Sequence, residues 1–202
     1  MLIFYLSYQD SRSDAIQERV KQLQLQYAGK RIIFARDHLD KVNGVSQRLC
    51  AFERFLEKHP EWREQVVMIQ ISAPRYGPPK LEQEIAEHVA KINSQYGSLS
   101  HLPCIHYAAD VDLEDHFALL YVADVALITS VRDGMSTTSL EYVAAQRDRK
   151  GVLILSEFTG TAGSLYGALL VNPWDYSVWL YIGLIFVLIC IIRKLQNQLM
   201  RH

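Results

Sequence analysis

The residues best placed to do chemistry fall in one stretch, 125–146, which reads VALITSVRDGMSTTSLEYVAAQ. A β-branched apolar run at 125–129 predicts a buried strand. It gives way to a polar loop holding Arg132, Asp133 and Gly134. Thr138 then stands three residues before Glu141, the spacing of a capping box, and opens a predicted helix with Leu140, Val143 and Ala144 among its apolar residues. Strand, glycine-containing loop and helix N-terminus together form a ready site for an anion, because loop amides and the positive end of the helix dipole point the same way. The geometry alone is unspecific, since every doubly wound sheet has several such turns.

The elements that would position this loop read as an alternating series. Helices are expected at 14–27, closed by Gly29, at 45–58, where Val45, Leu49, Phe52, Phe55 and Leu56 make one stripe, and through Leu81, Ile85, Val89 and Ile92. Two shorter ones follow at 114–122 and 138–146. Strands are expected at 31–35, 66–71, 104–107, 125–129, 152–155 and 168–171, with a turn at 76–79. The β-α-β-α order predicts an α/β fold, Rossmann-like, with a mainly parallel sheet and right-handed crossovers. Ligands of such sheets sit beyond the carboxyl ends of the strands. The polar loops after RIIFA, VALIT and VLIL should therefore converge, the first of them being 36–44, RDHLDKVNG.

The remaining numbers mostly exclude. At 202 residues the chain has room for one domain with an ample core. A net charge of −1, with no basic run before the last ten residues, gives no reason to expect a nucleic-acid partner. Cys50, Cys104 and Cys190 are widely spaced and read as reduced thiols of a cytoplasmic domain. Seven scattered histidines lack the spacing of metal ligands.

The C-terminus departs from this pattern. Tyr176 and Ile192 bound YSVWLYIGLIFVLICII, 176–192, which carries no charge and is followed by Arg193 and Lys194. As a helix it would span roughly 26 Å, slightly under the ~30 Å hydrocarbon core. A transmembrane or buried apolar helix is the expectation, so the domain could be anchored to a membrane. Placing Arg193, Lys194 and Arg201 across that membrane would oppose the positive-inside tendency.

Four separated motifs, in order, resemble the C-terminal half of trehalose-6-phosphate synthases. They are GKRIIFARDHLDKVNGVSQRLCAFERFLEKHPEW, VVMIQISAP, SVRDGMSTTSLEYVAAQ and GVLILSEFTGTAGSLYGALLVNPWD. The resemblance runs over 13–175. It leaves 1–12 as a divergent extension and 176–202 as a separate tail, so the chain is expected to be a fragment of the family's full architecture. It implies a retaining, metal-independent glycosyltransferase of the two-domain GT-B arrangement, with no cofactor. That family moves glucose from UDP-glucose to glucose-6-phosphate, and its C-terminal domain holds the nucleotide sugar. On this basis Asp133, Gly134 and Met135 match the loop whose backbone meets the donor's sugar and diphosphate. Glu141 matches the glutamate that accepts from the ribose hydroxyls.

The departures from that pattern are specific. The family's first loop reads Asp-Arg-Leu-Asp-x-x-Lys-Gly, its Arg and Lys gripping the diphosphate, but here those two positions are His38 and Asn43. Ser136-Thr137-Thr138 replaces Asn-Leu-Val after the second loop. Two missing charge-assisted bonds of ~1.5–3 kcal/mol each would weaken donor binding by roughly two to four decades. The expectation is a non-catalytic, regulatory-type subunit of trehalose biosynthesis with a catalytic synthase subunit as partner. Two alternatives stay open. One is a donor-binding half that needs a separate acceptor domain, and the other is a membrane-anchored α/β binding module.

Overall fold

A computed structural model of the chain describes residues 13–73 and 79–175. Helix α1 (Asp14–Gln26) starts at Ser13, whose hydroxyl oxygen accepts from the Ile16 amide. Strand β1 (Arg31–His38) leads into α2 (Val45–Lys58), a short 3₁₀ turn (Pro60–Trp62) and β2 (Val66–Ala73). Helix α3 (Pro79–Tyr96), β3 (Cys104–Tyr107), α4 (Leu113–Val122) and β4 (Val125–Ile128) follow. Helix α5 (Thr137–Ala145), β5 (Val152–Ser156) and β6 (Leu169–Val171) complete the described chain.

The six strands form one sheet in the order β3-β2-β1-β4-β5-β6, every neighbouring pair parallel. This is the doubly wound α/β arrangement expected, and its strand order reverses between β1 and β4. Alternate strand residues feed two cores, as the pleat requires. Ile33 and Met68 pack with the stripes of α2 and α3, while Ile32, Phe34 and Ile69 pack with α1, α4 and α5. Asp124 pins the two central strands together. It accepts from the Ile32 amide at 3.0 Å and from Arg31 at 3.2 Å, although the chain runs 92 residues between Ile32 and Asp124.

Of the boundaries that differ from expectation, two matter for the site. Strand β1 extends past Ala35 to His38, pairing residue for residue with β2 up to His38↔Ala73. Its polar end is fixed by the backbone ladder rather than by hydrophobicity, so Asp37 and His38 belong to the strand, not to the loop. Helix α5 begins at Thr137 with Ser136 as its cap, one residue before the expected start. The expected capping box of Thr138 and Glu141 therefore does not form. The apolar stripe is also rotated: Ser139, Tyr142, Ala144 and Ala145 are buried, whereas Val143 is exposed. Cys104 is buried and Cys50 is half-buried, both as free thiols.

Among the described residues no helix is long and apolar enough to cross a membrane. The expected apolar helix at 176–192, Cys190, residues 1–12 and most of the turn at 76–79 lie outside the described residues.

Candidate functional site

The reversal of strand order opens a crevice above the carboxyl ends of β1 and β4, and two loops wall it. The first, 39–44, is wound by its own side chains. Asp40 Oδ1 accepts from the amides of Val42 and Asn43, both at 2.9 Å, and Asn43 Nδ2 donates to the His38 carbonyl at 3.0 Å. Gly44 ends the loop at φ 68°, and a Cβ there would lie 2.3 Å from the Thr129 carbonyl oxygen. Both the left-handed φ and the close approach demand glycine. The Val131 amide donates to the Val42 carbonyl at 2.8 Å, so the first loop is stitched to the second.

The second loop, 129–136, rests in turn on the segment after β5. Gly160 donates its amide to the Asp133 carbonyl at 3.3 Å, and a Cβ on Gly160 would meet the Gly134 carbonyl oxygen at 2.0 Å. Ser136 then turns the chain into α5. Its Oγ accepts from the Ser139 amide at 3.3 Å, while Ser139 Oγ donates to the Ser136 carbonyl at 2.7 Å. The amides of Thr137 and Thr138 precede any intrahelical acceptor and lie at the positive end of the helix.

These loops enclose a cleft of about 210 Å³. Asp133 and Met135 line it from one side and His38 and Asn43 from the other, with Arg36, Asp37, Ser136, Thr137 and Thr138. Of the residues expected here, Gly134 and Glu141 are not among its lining. Gly134 contributes its carbonyl to the packing against Gly160. Glu141 sits on α5 three and four residues beyond Thr138 and Thr137, hence on the same helix face, one turn from the cleft. Its Oε2 accepts from His116 Nε2 at 2.8 Å. A larger cleft of about 360 Å³ lies between α5 and the amino ends of β5 and β6, lined by Tyr142, Lys150, Gly151 and Tyr166. Size does not decide between them, because this cleft opens at the opposite edge of the sheet and carries none of the candidate residues.

The cleft stands on a buried polar network. Arg48 is fully buried on α2. Its Nε donates to Thr129 Oγ1 at 3.0 Å, and its Nη1 to Gln70 Oε1 at 2.7 Å and to the Asp37 carboxylate. Nη2 reaches the Asn43 carbonyl at 3.4 Å. One guanidinium thus ties β1, β2, the end of β4 and the first loop together. Burial pushes the Asp37 carboxyl above its ordinary value; the guanidinium beside it opposes that rise, and Asp133 adds to it.

Arg36, Arg48 and His116 carry much of this construction without having been singled out in the sequence. Two of them left a signal there. Arg48 interrupts the apolar stripe of Val45, Leu49 and Phe52, and His116 precedes the apolar run FALL; a polar residue on an apolar face needs a buried partner. Arg36 left none, because it reads as the first residue of a polar loop.

The family model described as glycosyltransferase family 20 matches residues 7–179 of the chain. A trehalose-phosphatase of Saccharomyces cerevisiae is 46% identical over 177 residues, covering 82% of this chain and 20% of its own length. An α,α-trehalose-phosphate synthase [UDP-forming] of Candida albicans is 42% identical over 168 residues, covering 81% of this chain and 35% of its own. The structure of the Candida albicans trehalose-6-phosphate phosphatase N-terminal domain superposes with a TM-score of 0.86 at 49% identity, over 89% of this chain and 39% of that one. The chain thus spans between a fifth and about a third of the two curated relatives.

Proposed function

Since the chain belongs to glycosyltransferase family 20, we propose that it is the nucleotide-sugar half of a trehalose-6-phosphate synthase-like protein of trehalose biosynthesis. It takes the UDP-glucose class of ligand weakly and acts with a catalytic synthase subunit rather than by turning over alone. The observation that carries this reading is the composition of the cleft at the strand-order reversal. The frame is complete: two interlocked loops, a capped helix N-terminus and Glu141 one turn away. Yet the two positions that hold cations in the family present an exposed His38 and an Asn43 whose amide is spent on the His38 carbonyl. The weak grip follows from those residues. The likeness to the N-terminal domain of a protein named as a phosphatase adds support, since there the same fold accompanies a different reaction.

In this role Asp133, Gly134 and Met135 present backbone toward the sugar and diphosphate, and Glu141 accepts from the ribose. The domain comprises 13–175. Titration of the purified chain with UDP-glucose by calorimetry tests the reading. Binding two to four decades weaker than in a synthase with both cations is expected, and micromolar binding overturns it. Turnover of UDP-glucose with glucose-6-phosphate by this chain alone would also overturn it. The membrane anchor proposed for 176–192 is tested separately, by whether the full chain stays with membranes through carbonate extraction.

A further inference from the structure

With His38 and Asn43 at the usual cation positions, Arg36 is the one permanent cation among the described residues lining the cleft. It lies on β1 two residues beyond Phe34 and so shares that residue's face of the sheet, toward α4 and α5, while Asp37 turns the other way to Arg48. Arg36 Nη2 donates to Asp110 Oδ1 at 3.2 Å across a pair whose carboxylate side chain is 66% exposed and whose arginine is 30% exposed. Such a pair is held loosely and exchanges readily for a better acceptor. Arg36 Nε, by contrast, is out of reach of solvent, and no described residue accepts from it. The end of the guanidinium that a ligand can meet is therefore Nη1 and Nη2, which take two oxygens of one oxyanion side by side once Nη2 exchanges Asp110 for the ligand. The first turn of α5, with the Thr137 and Thr138 amides, lines the same cleft. Asp37 is already neutralised by Arg48, which leaves Asp133 as the carboxylate opposing an anion.

We infer that Arg36 is the oxyanion grip of this cleft, taking a diphosphate group in place of the cations absent at 38 and 43. The inference rests on the nucleotide reading of the cleft for the identity of the natural ligand, but not for the anion itself.

The experiment titrates the full chain with inorganic pyrophosphate, UDP and uridine by calorimetry, alongside R36Q, R36K and D110N. R36Q should weaken pyrophosphate and UDP by about ten- to a hundred-fold and leave uridine unchanged. R36K, which keeps the charge but not the fork, should recover part of the loss and guards against a folding defect. D110N removes the competing negative charge and should bind pyrophosphate at least as tightly as the wild type. Wild-type pyrophosphate binding by R36Q, or no pyrophosphate binding by the wild type, overturns the inference. So does a loss in D110N equal to that in R36Q, which would make the pair merely structural. If pyrophosphate binds through Arg36 but UDP binds no better than pyrophosphate, the grip stands and the nucleotide reading falls.

Discussion

His116 Nε2 donates to Oε2 of Glu141 at 2.8 Å, the imidazole side chain being 4% exposed and the carboxylate 19%. The contact crosses from α4 to α5 and fixes the Nε2–H tautomer. Nδ1 is left buried, with no partner among the described residues. The bond holds the Glu141 carboxylate at a set angle one turn from the cleft. E141A removes the acceptor of a buried donor and should cost about 1–3 kcal/mol in chemical denaturation. E141Q keeps an acceptor and should cost less, while abolishing any preference for uridine over 2′,3′-dideoxyuridine. An unchanged preference in E141Q would remove Glu141 from ribose binding.

Breaking the network beneath the cleft should be expensive. R48A leaves Asp37 as an uncompensated buried carboxylate and is expected to cost about 3–5 kcal/mol in urea unfolding. The double variant R48M/D37N, which removes both charges while keeping volume, should recover most of that loss. Equal destabilisation by single and double variants would show that packing, not charge pairing, is the role of Arg48.

The loop contacts predict a contrast among glycines. G44A meets both a left-handed φ and the Thr129 carbonyl at 2.3 Å, and G160A meets the Gly134 carbonyl at 2.0 Å. Each should lose about 2 kcal/mol or more. Gly163 has open space around the position of a Cβ, so G163A should stay within about 0.5 kcal/mol of the wild type. Denaturant midpoints compare the three directly.

Stability should fall on the acid side of neutrality. Burial pushes the imidazoles of His101 and His106 below their ordinary value, so both are held neutral in the fold. The unfolded chain then binds more protons than the folded one between the depressed values and the ordinary histidine value of 6.5. Their contribution is present in full above that value and is lost as pH falls through the folded-state values. The double variant H101Q/H106Q should have a flatter slope of unfolding free energy over this window; an unaltered slope would assign it to other groups.

Restoring the cations reverses the proposed weakness. H38R/N43K should strengthen UDP-glucose binding by roughly two to four decades. Asp40, which winds the loop through the Val42 and Asn43 amides, is untouched by the change. No gain in affinity would place the defect elsewhere in the cleft.

How far the sequence reveals this molecule varies with the kind of signal. Helix α2 is legible at both ends because its apolar stripe is strong and Gly44 and Pro60 bracket it. The start of α5 is not, because Ser136, Thr137, Thr138 and Ser139 are four hydroxyl residues in a row, each able to cap. Tertiary packing chooses among them: Ser139 is buried, its hydroxyl 3.3 Å from Thr161 Oγ1, and Tyr142 is buried beneath it. The same choice takes Glu141 out of the cap and gives it to His116. The loops at 39–44 and 129–136 converge as the βαβ order requires. Arg36 is hidden because neither periodicity nor spacing reports which side of a strand a charge occupies, and the break that Arg48 makes in the stripe of α2 does not tell which counterion it has found.

The clasp between Asp124 and the Ile32 amide has a kinetic meaning. The two central strands that frame the cleft meet only after a 92-residue excursion has closed, and closure over that distance is slow and entropically costly. The cleft therefore has no local precursor, and it comes into being with the central pairing of the domain. A molecule seated between β1 and β4 bridges the two halves of the doubly wound sheet, so its residence should slow unfolding of the entire domain. Resistance of the chain to proteolysis under native conditions then becomes a direct reading of cleft occupancy.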